Sequence, residues 1–190
     1  MRRVYLDNNA TTPLLPEVVE AMLPCYKEHF GNPSSIHWYG RECRKALEEA
    51  RDSIAALLGA EPSEIVFTSG GSESDNMAIK GVAYREANKG RHIITSEIEH
   101  HAVLDTCKFL EKNSFEVTYL PVDKYGMIEP QALKDSIRED TILITIMHAN
   151  NEMGTVQPLT ELIAIANEEG ITFHTDAVQS IGKIETNVNK

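Results

Sequence analysis

The sequence predicts an α/β fold, a mostly parallel sheet with helices on both faces, and three observations predict it. From about residue 60, short β-branched runs alternate with stretches of helical period. Several helical stretches close on Gly or Asn, as helix C-termini prefer. The 190 residues, 42% apolar and 25% charged, have globular composition without an internal repeat or low-complexity tract. Strands that alternate with covering helices are expected to pair in parallel, with both sheet faces buried.

In chain order, residues 1–15 are expected to form an N-terminal arm and residues 16–59 a helical segment. A helix begins at Pro16 and runs to about His29, and the loop Gly31-Asn32-Pro33-Ser34-Ser35 follows. A long helix from about Arg41 to Leu58 then puts Cys43, Leu47, Ala50, Ile54 and Leu58 on one stripe, with Gly59 placed as its stop. Residues 60–190 carry the sheet. Its expected strands are Glu64–Thr68, His92–Ser96, Phe115–Leu120, Thr141–Met147 and Ile171–Thr175; its helices lie near Glu73–Asn88, Ala102–Lys112, Pro130–Glu139 and Leu159–Glu169.

Charge and cysteine content exclude several function classes. Lys plus Arg is 18 against Asp plus Glu 29, a formal charge of −11, so no net positive field gathers DNA or anionic lipid. Cys25, Cys43 and Cys107 are odd in number, widely spaced and free of CxxC pairs, which suits the reducing cytosol and supports neither a disulfide framework nor a zinc site. No apolar stretch approaches the roughly 18 residues of a membrane helix. Asp7-Asn8-Asn9 after Met1-Arg2-Arg3 denies a signal peptide its apolar core, and the N-terminus is expected to be mature.

In doubly wound folds ligands bind beyond the carboxyl ends of the strands. After the first expected strand come Ser69-Gly70-Gly71-Ser72-Glu73-Ser74-Asp75, where two glycines free the backbone and Ser72 with Asp75 fits a capping box. Helix N–H groups gathered there suit a phosphate, and a plain capped turn is an equal reading. The absence of GxxxxGK and GxGxxG removes support for a nucleoside triphosphate or dinucleotide. Glu99-His100-His101 follow the second strand; an imidazole there could lie over a planar ligand or exchange protons, or simply cap a helix. Asn150-Asn151 end the segment His148 to Asn151, suited to a turn or a pocket wall, and only one of them need face a ligand. Asp176, with Gln179 three residues on, ends an apolar strand. Its carboxylate either meets a cation or caps the next turn. Together a phosphate cradle, a planar-face histidine, an amide and a buried carboxylate describe a pocket for pyridoxal 5'-phosphate, in which an anionic carboxylate partners the pyridinium.

The segments Tyr5–Pro13, Phe30–His37, Phe67–Asn76, Glu99-His100, His148–Gly154 and His174–Ser180 together resemble the NifS/IscS-type cysteine desulfurases, class V aminotransferase-like enzymes of fold type I. That resemblance implies the large domain of a fold-type I pyridoxal phosphate enzyme. It implies that Gly71 and Ser72 contact the cofactor phosphate, His100 stacks on the ring and assists proton transfer, Asn151 and Gln179 bond the ring hydroxyl region, and Asp176 holds the ring nitrogen. Gly71-Ser72 stands where the family commonly has Ala-Thr, and a hydroxyl is kept.

The family's Schiff-base lysine, in a Ser-x-His-Lys motif, and its sulfur-accepting loop cysteine have no counterpart here. None of Lys80, Lys124, Lys183 or Lys190 has that motif around it. The resemblance therefore implies an incomplete large domain, with the C-terminal small domain absent. The implied reaction converts L-cysteine to L-alanine and passes the sulfur to an enzyme cysteine as a persulfide, for iron–sulfur cluster assembly or other sulfur transfer. This chain is expected to be inactive alone and to associate as a homodimer, with a complementing C-terminal chain, or with an iron–sulfur scaffold or sulfur-acceptor protein. Selenocysteine lyase, a class V aminotransferase and a noncatalytic scaffold subunit are the alternatives. Cys43 and Cys107, on apolar stripes, read as buried inert thiols.

Overall fold

The computed structural model describes residues 2–189. Met1 and Lys190, one of the four lysines weighed above, lie outside the described residues. The chain divides into two compact units, one reaching Val66 and taken up again at Asn187, the other Phe67–Thr186.

The first unit is built on α1 (Pro16–Lys27) and α2 (Trp38–Leu58). Pro16 sits at the start of α1, where its fixed φ is already helical and its missing N–H is no loss. No residue of α1 is buried. Helix α2 begins three residues earlier than its apolar spacing predicts, because the His37 ring caps it by accepting from the Gly40 N–H at 3.3 Å. It ends where expected, at Gly59, whose φ of +71° is left-handed and whose added Cβ would lie 2.6 Å from Asn187 Oδ1. Cys43 is buried on the expected stripe, but Ala50 is exposed and Ala55 takes an inner position.

The expected strand Glu64–Thr68 does not form. Pro62–Glu64 is a short 3-10 turn, closed by a carboxylate and backbone capping pair between Glu61 and Glu64, and the residues after it run extended without a partner ladder among the described residues. β-branched residues favour an extended backbone, but only a neighbouring strand turns it into sheet.

The second unit holds a four-stranded parallel sheet in the order β2-β1-β3-β4, from β1 (His92–Ser96), β2 (Glu116–Leu120), β3 (Thr141–Thr145) and β4 (Thr172–His174). Between them run α3 (Gly71–Glu86), α4 (His101–Glu111), α5 (Pro130–Ser136) and α6 (Leu159–Glu168). Every residue of β1 and β3 is buried, as central parallel strands covered on both faces must be. Successive side chains serve opposite cores. Ile93 and Leu143 pack with Ile79 and Ala83 of α3 and with Val103, Cys107 and Leu110 of α4, while Ile94 and Ile144 pack with Leu133 of α5 and with Leu162 and Ala166 of α6. At the amino end of the sheet His92 ties three strands, its ring nitrogens 2.7 Å from Thr141 Oγ1 and 2.8 Å from Thr118 Oγ1.

Helix α5 stops at Ser136, short of the predicted Glu139, because Ile137 turns extended to pack into the second core and the Arg138 N–H donates to Thr141 Oγ1 at 2.8 Å. Among the described residues no helix is long and apolar enough to cross a membrane.

Candidate functional site

All the residues singled out at strand ends lie in the second unit, at the carboxyl end of its sheet. The α3 helix starts at Gly71, with Gly70 as its cap residue, so the expected Ser72 and Asp75 capping box is not made. Instead the Glu73 carboxylate reaches back past the cap residue and accepts from the Ser69 N–H and hydroxyl, both at 2.6 Å. Those bonds hold the Glu73 carboxyl below its usual range. Gly71 and Ser72 are the first two helical residues, whose N–H groups have no intrahelical acceptor. An added Cβ on Gly71 would sit 3.2 Å from Val178 Cγ2, so the helix start lies tight against the turn after Asp176.

His100 caps α4, its Nδ1 accepting from the Ala102 N–H at 3.1 Å. In the neutral ring the proton therefore lies on Nε2. Ser72 and His100 share a hollow of about 320 Å³ with Asn76, His101 and Thr106. His100 also borders a second hollow of about 280 Å³, with Glu99, Asn151 and Met153.

The two asparagines divide their work. Asn150 is buried; its Oδ1 accepts from the Glu152 and Met153 N–H groups at 2.8 Å, and its Nδ2 donates to the Ile98 carbonyl at 2.9 Å. Both asparagines line the hollow, Asn150 with its amide engaged in these bonds.

Asp176 is buried at the end of β4, and its Oδ1 accepts from the Val178 N–H at 3.0 Å. The ion pairs of the described residues give it no Lys or Arg partner. Instead it has acidic company. Burial, and then the Asp176 charge, push Asp75 up to about 6; burial, and then Asp176 and Asp75, push Glu99 up to about 7 against the hydrogen bonds that Ser96 and Met147 give it. His174 lies with Nε2 3.7 Å from Asp75 Oδ1 and Nδ1 2.8 Å from Thr145 Oγ1. Burial depresses its imidazole more than Asp176 raises it, so the contact with Asp75 is not an ion pair at neutral pH. Asp176 and Gln179 line neither hollow, and Gln179 Oε1 accepts from Lys183 Nζ at 3.0 Å.

Sequence reasoning missed Asp75 and Glu99 as buried acids. Asp75 had a signal: it stands four residues before Ile79 and eight before Ala83, on the inward stripe of α3. For Glu99 no spacing betrays burial. Among the described residues no cluster of His, Cys, Asp and Glu is fit to hold a metal ion. Buried carboxylates without a cation suit a ligand that brings positive charge, and helix N–H groups at Gly71 and Ser72 suit its anionic end; the donor set fits pyridoxal phosphate.

The profile of the class-V aminotransferases matches residues 4–190. The cysteine desulfurase IscS of Dictyoglomus turgidum is 63% identical over 189 residues, 100% of this chain and 48% of that protein. Among solved structures, a NifS-like protein is 45% identical with a TM-score of 0.96, the match covering 100% of this chain and 52% of that one. SspA in complex with cysteine is 48% identical with a TM-score of 0.94, covering 97% of this chain and 53% of that one. The chain thus spans about half the length of the curated relatives it matches.

Proposed function

The chain belongs to the class-V aminotransferase family, and on that premise we propose that it is the cofactor-side half of a pyridoxal-phosphate-dependent cysteine desulfurase. The observation that carries the reading is Asp176, a buried carboxylate without a Lys or Arg partner among the described residues, set beside two acids that burial, and then its charge, push up. A cationic ring nitrogen would relieve that crowding.

The Gly71 and Ser72 N–H groups and the Ser72 hydroxyl, at the α3 start, would hold the phosphate. Asp176 would hold the ring nitrogen in its protonated form. His100 would face the ring and exchange a proton at Nε2, the nitrogen left free by its cap bond, and Asn151 and Gln179 would orient the ring through its hydroxyl. When bound, pyridoxal phosphate supplies an electron sink for the α-carbon of an amino acid. Relatives that carry the name cysteine desulfurase, and a structural neighbour solved with cysteine, support L-cysteine as the substrate, with alanine as product and the sulfur passed to an enzyme cysteine thiolate, which becomes the persulfide as the Cβ–S bond breaks. No lysine of this chain stands in a Ser-x-His-Lys motif, so the 190 residues alone turn over little or no cysteine. The reading extends to a homodimer or a complementing C-terminal chain as partner, to an iron–sulfur scaffold or other sulfur acceptor, and to the cytoplasm as compartment.

Pyridoxamine 5'-phosphate tests the site, because without an aldehyde it cannot label surface lysines. Equilibrium dialysis should show saturable binding that Asp176→Asn weakens at least about tenfold, the scale of one charge-assisted hydrogen bond. No saturable binding, or equal affinity in the variant, would sink the reading.

A further inference from the structure

Glu99 lies between the two loops that carry His100 and Asn151 and has no role in the contacts just proposed. The ladder between β1 and β3 ends at Thr95 opposite Thr145, and beyond it backbone pairing no longer sets how far apart the chains run. Side chains take over there. Glu99, 5% exposed, accepts at Oε1 from the Ser96 hydroxyl at 2.6 Å and from the Met147 N–H at 2.9 Å, reaching from the β1 loop to the end of β3. Asn150 reaches the opposite way, from the β3 loop to the Ile98 carbonyl at 2.9 Å.

We propose that this reciprocal clasp makes Glu99 a positioning residue, which sets His100 against Asn151 across the hollow they share. The inference rests on the reading of those two residues as ring-facing and deepens it by naming what holds them in place. Glu99 Oε2 is shut from solvent without a hydrogen-bond partner. The groups facing Glu99 are Asp176, Asp75 and the Cys107 thiol of α4, and none of them is a cation. A carboxylate is costly in such surroundings, whereas a neutral carboxyl still accepts both bonds at Oε1. Glutamine offers the same acceptor and alanine offers none.

The test uses the 190-residue protein and two readouts: the His100 ring and Asn151 side-chain NMR resonances without ligand, and pyridoxamine 5'-phosphate affinity by dialysis. Glu99→Ala should shift both resonances and weaken binding about tenfold or more, while Glu99→Gln keeps both resonances and binds within about twofold of the parent. Unchanged resonances and affinity in Glu99→Ala, or losses in Glu99→Gln as large as those in Glu99→Ala, would overturn the clasp. If Glu99→Ala does not fold, Ser96→Ala decides: it removes one donor, and an unmoved His100 resonance overturns the proposal. A parent protein that fails to bind the probe counts against the cofactor reading, and the ligand-free resonances still decide the clasp.

Discussion

Replacing Glu99 with glutamine removes an ionisable group and keeps the acceptor that Ser96 and Met147 use. In the folded protein this carboxyl loses its proton at about 7, against an ordinary 4.5, because burial and then the Asp176 and Asp75 charges oppose ionisation. The unfolded chain gives up its proton first, so the stability that the neutral carboxyl confers is full below pH 4.5 and is lost as pH rises toward 7. The gap corresponds to about 3 kcal/mol in all, of which about 2 kcal/mol falls between pH 5.5 and 8. Urea titrations across that window avoid the chain's isoelectric point near 5.1. Relative to the parent, Glu99→Gln should gain about 2 kcal/mol from pH 5.5 to 8 at unchanged m value. Stability curves that run parallel for the two proteins would refute the reasoning, since they would mean that Glu99 titrates alike folded and unfolded.

The thiols should separate by burial. Cys25 is exposed, whereas Cys107 is buried and its thiol is pushed up to about 12, so alkylation at pH 8 read by mass spectrometry should label Cys25 at once and Cys107 only on unfolding. Leu143→Ala deletes a fully buried side chain at the centre of the sheet and should cost about 2–5 kcal/mol in urea unfolding, with a smaller loss arguing that the core collapses around the gap.

The alternation of strand and helix was legible because it is written locally. The short β-branched run His92–Ser96 is a buried parallel strand at the residues predicted, and Ser72, His100, Asn151 and Asp176 all follow or open elements at one end of the sheet. Gly59 as the stop of α2 is equally local, a single residue that accepts a left-handed φ. What pattern could not decide depends on partners distant in the chain. Glu64–Thr68 has the residues of a strand but no ladder to join among the described residues. Asn150 and Asn151 are the same residue type side by side, and a carbonyl 52 positions earlier decides which one turns inward. Asp75 and Glu99 look like surface acids until α3, α4 and the ends of the strands close over them, because desolvation and the field of Asp176 belong to the packed interior and to no segment alone.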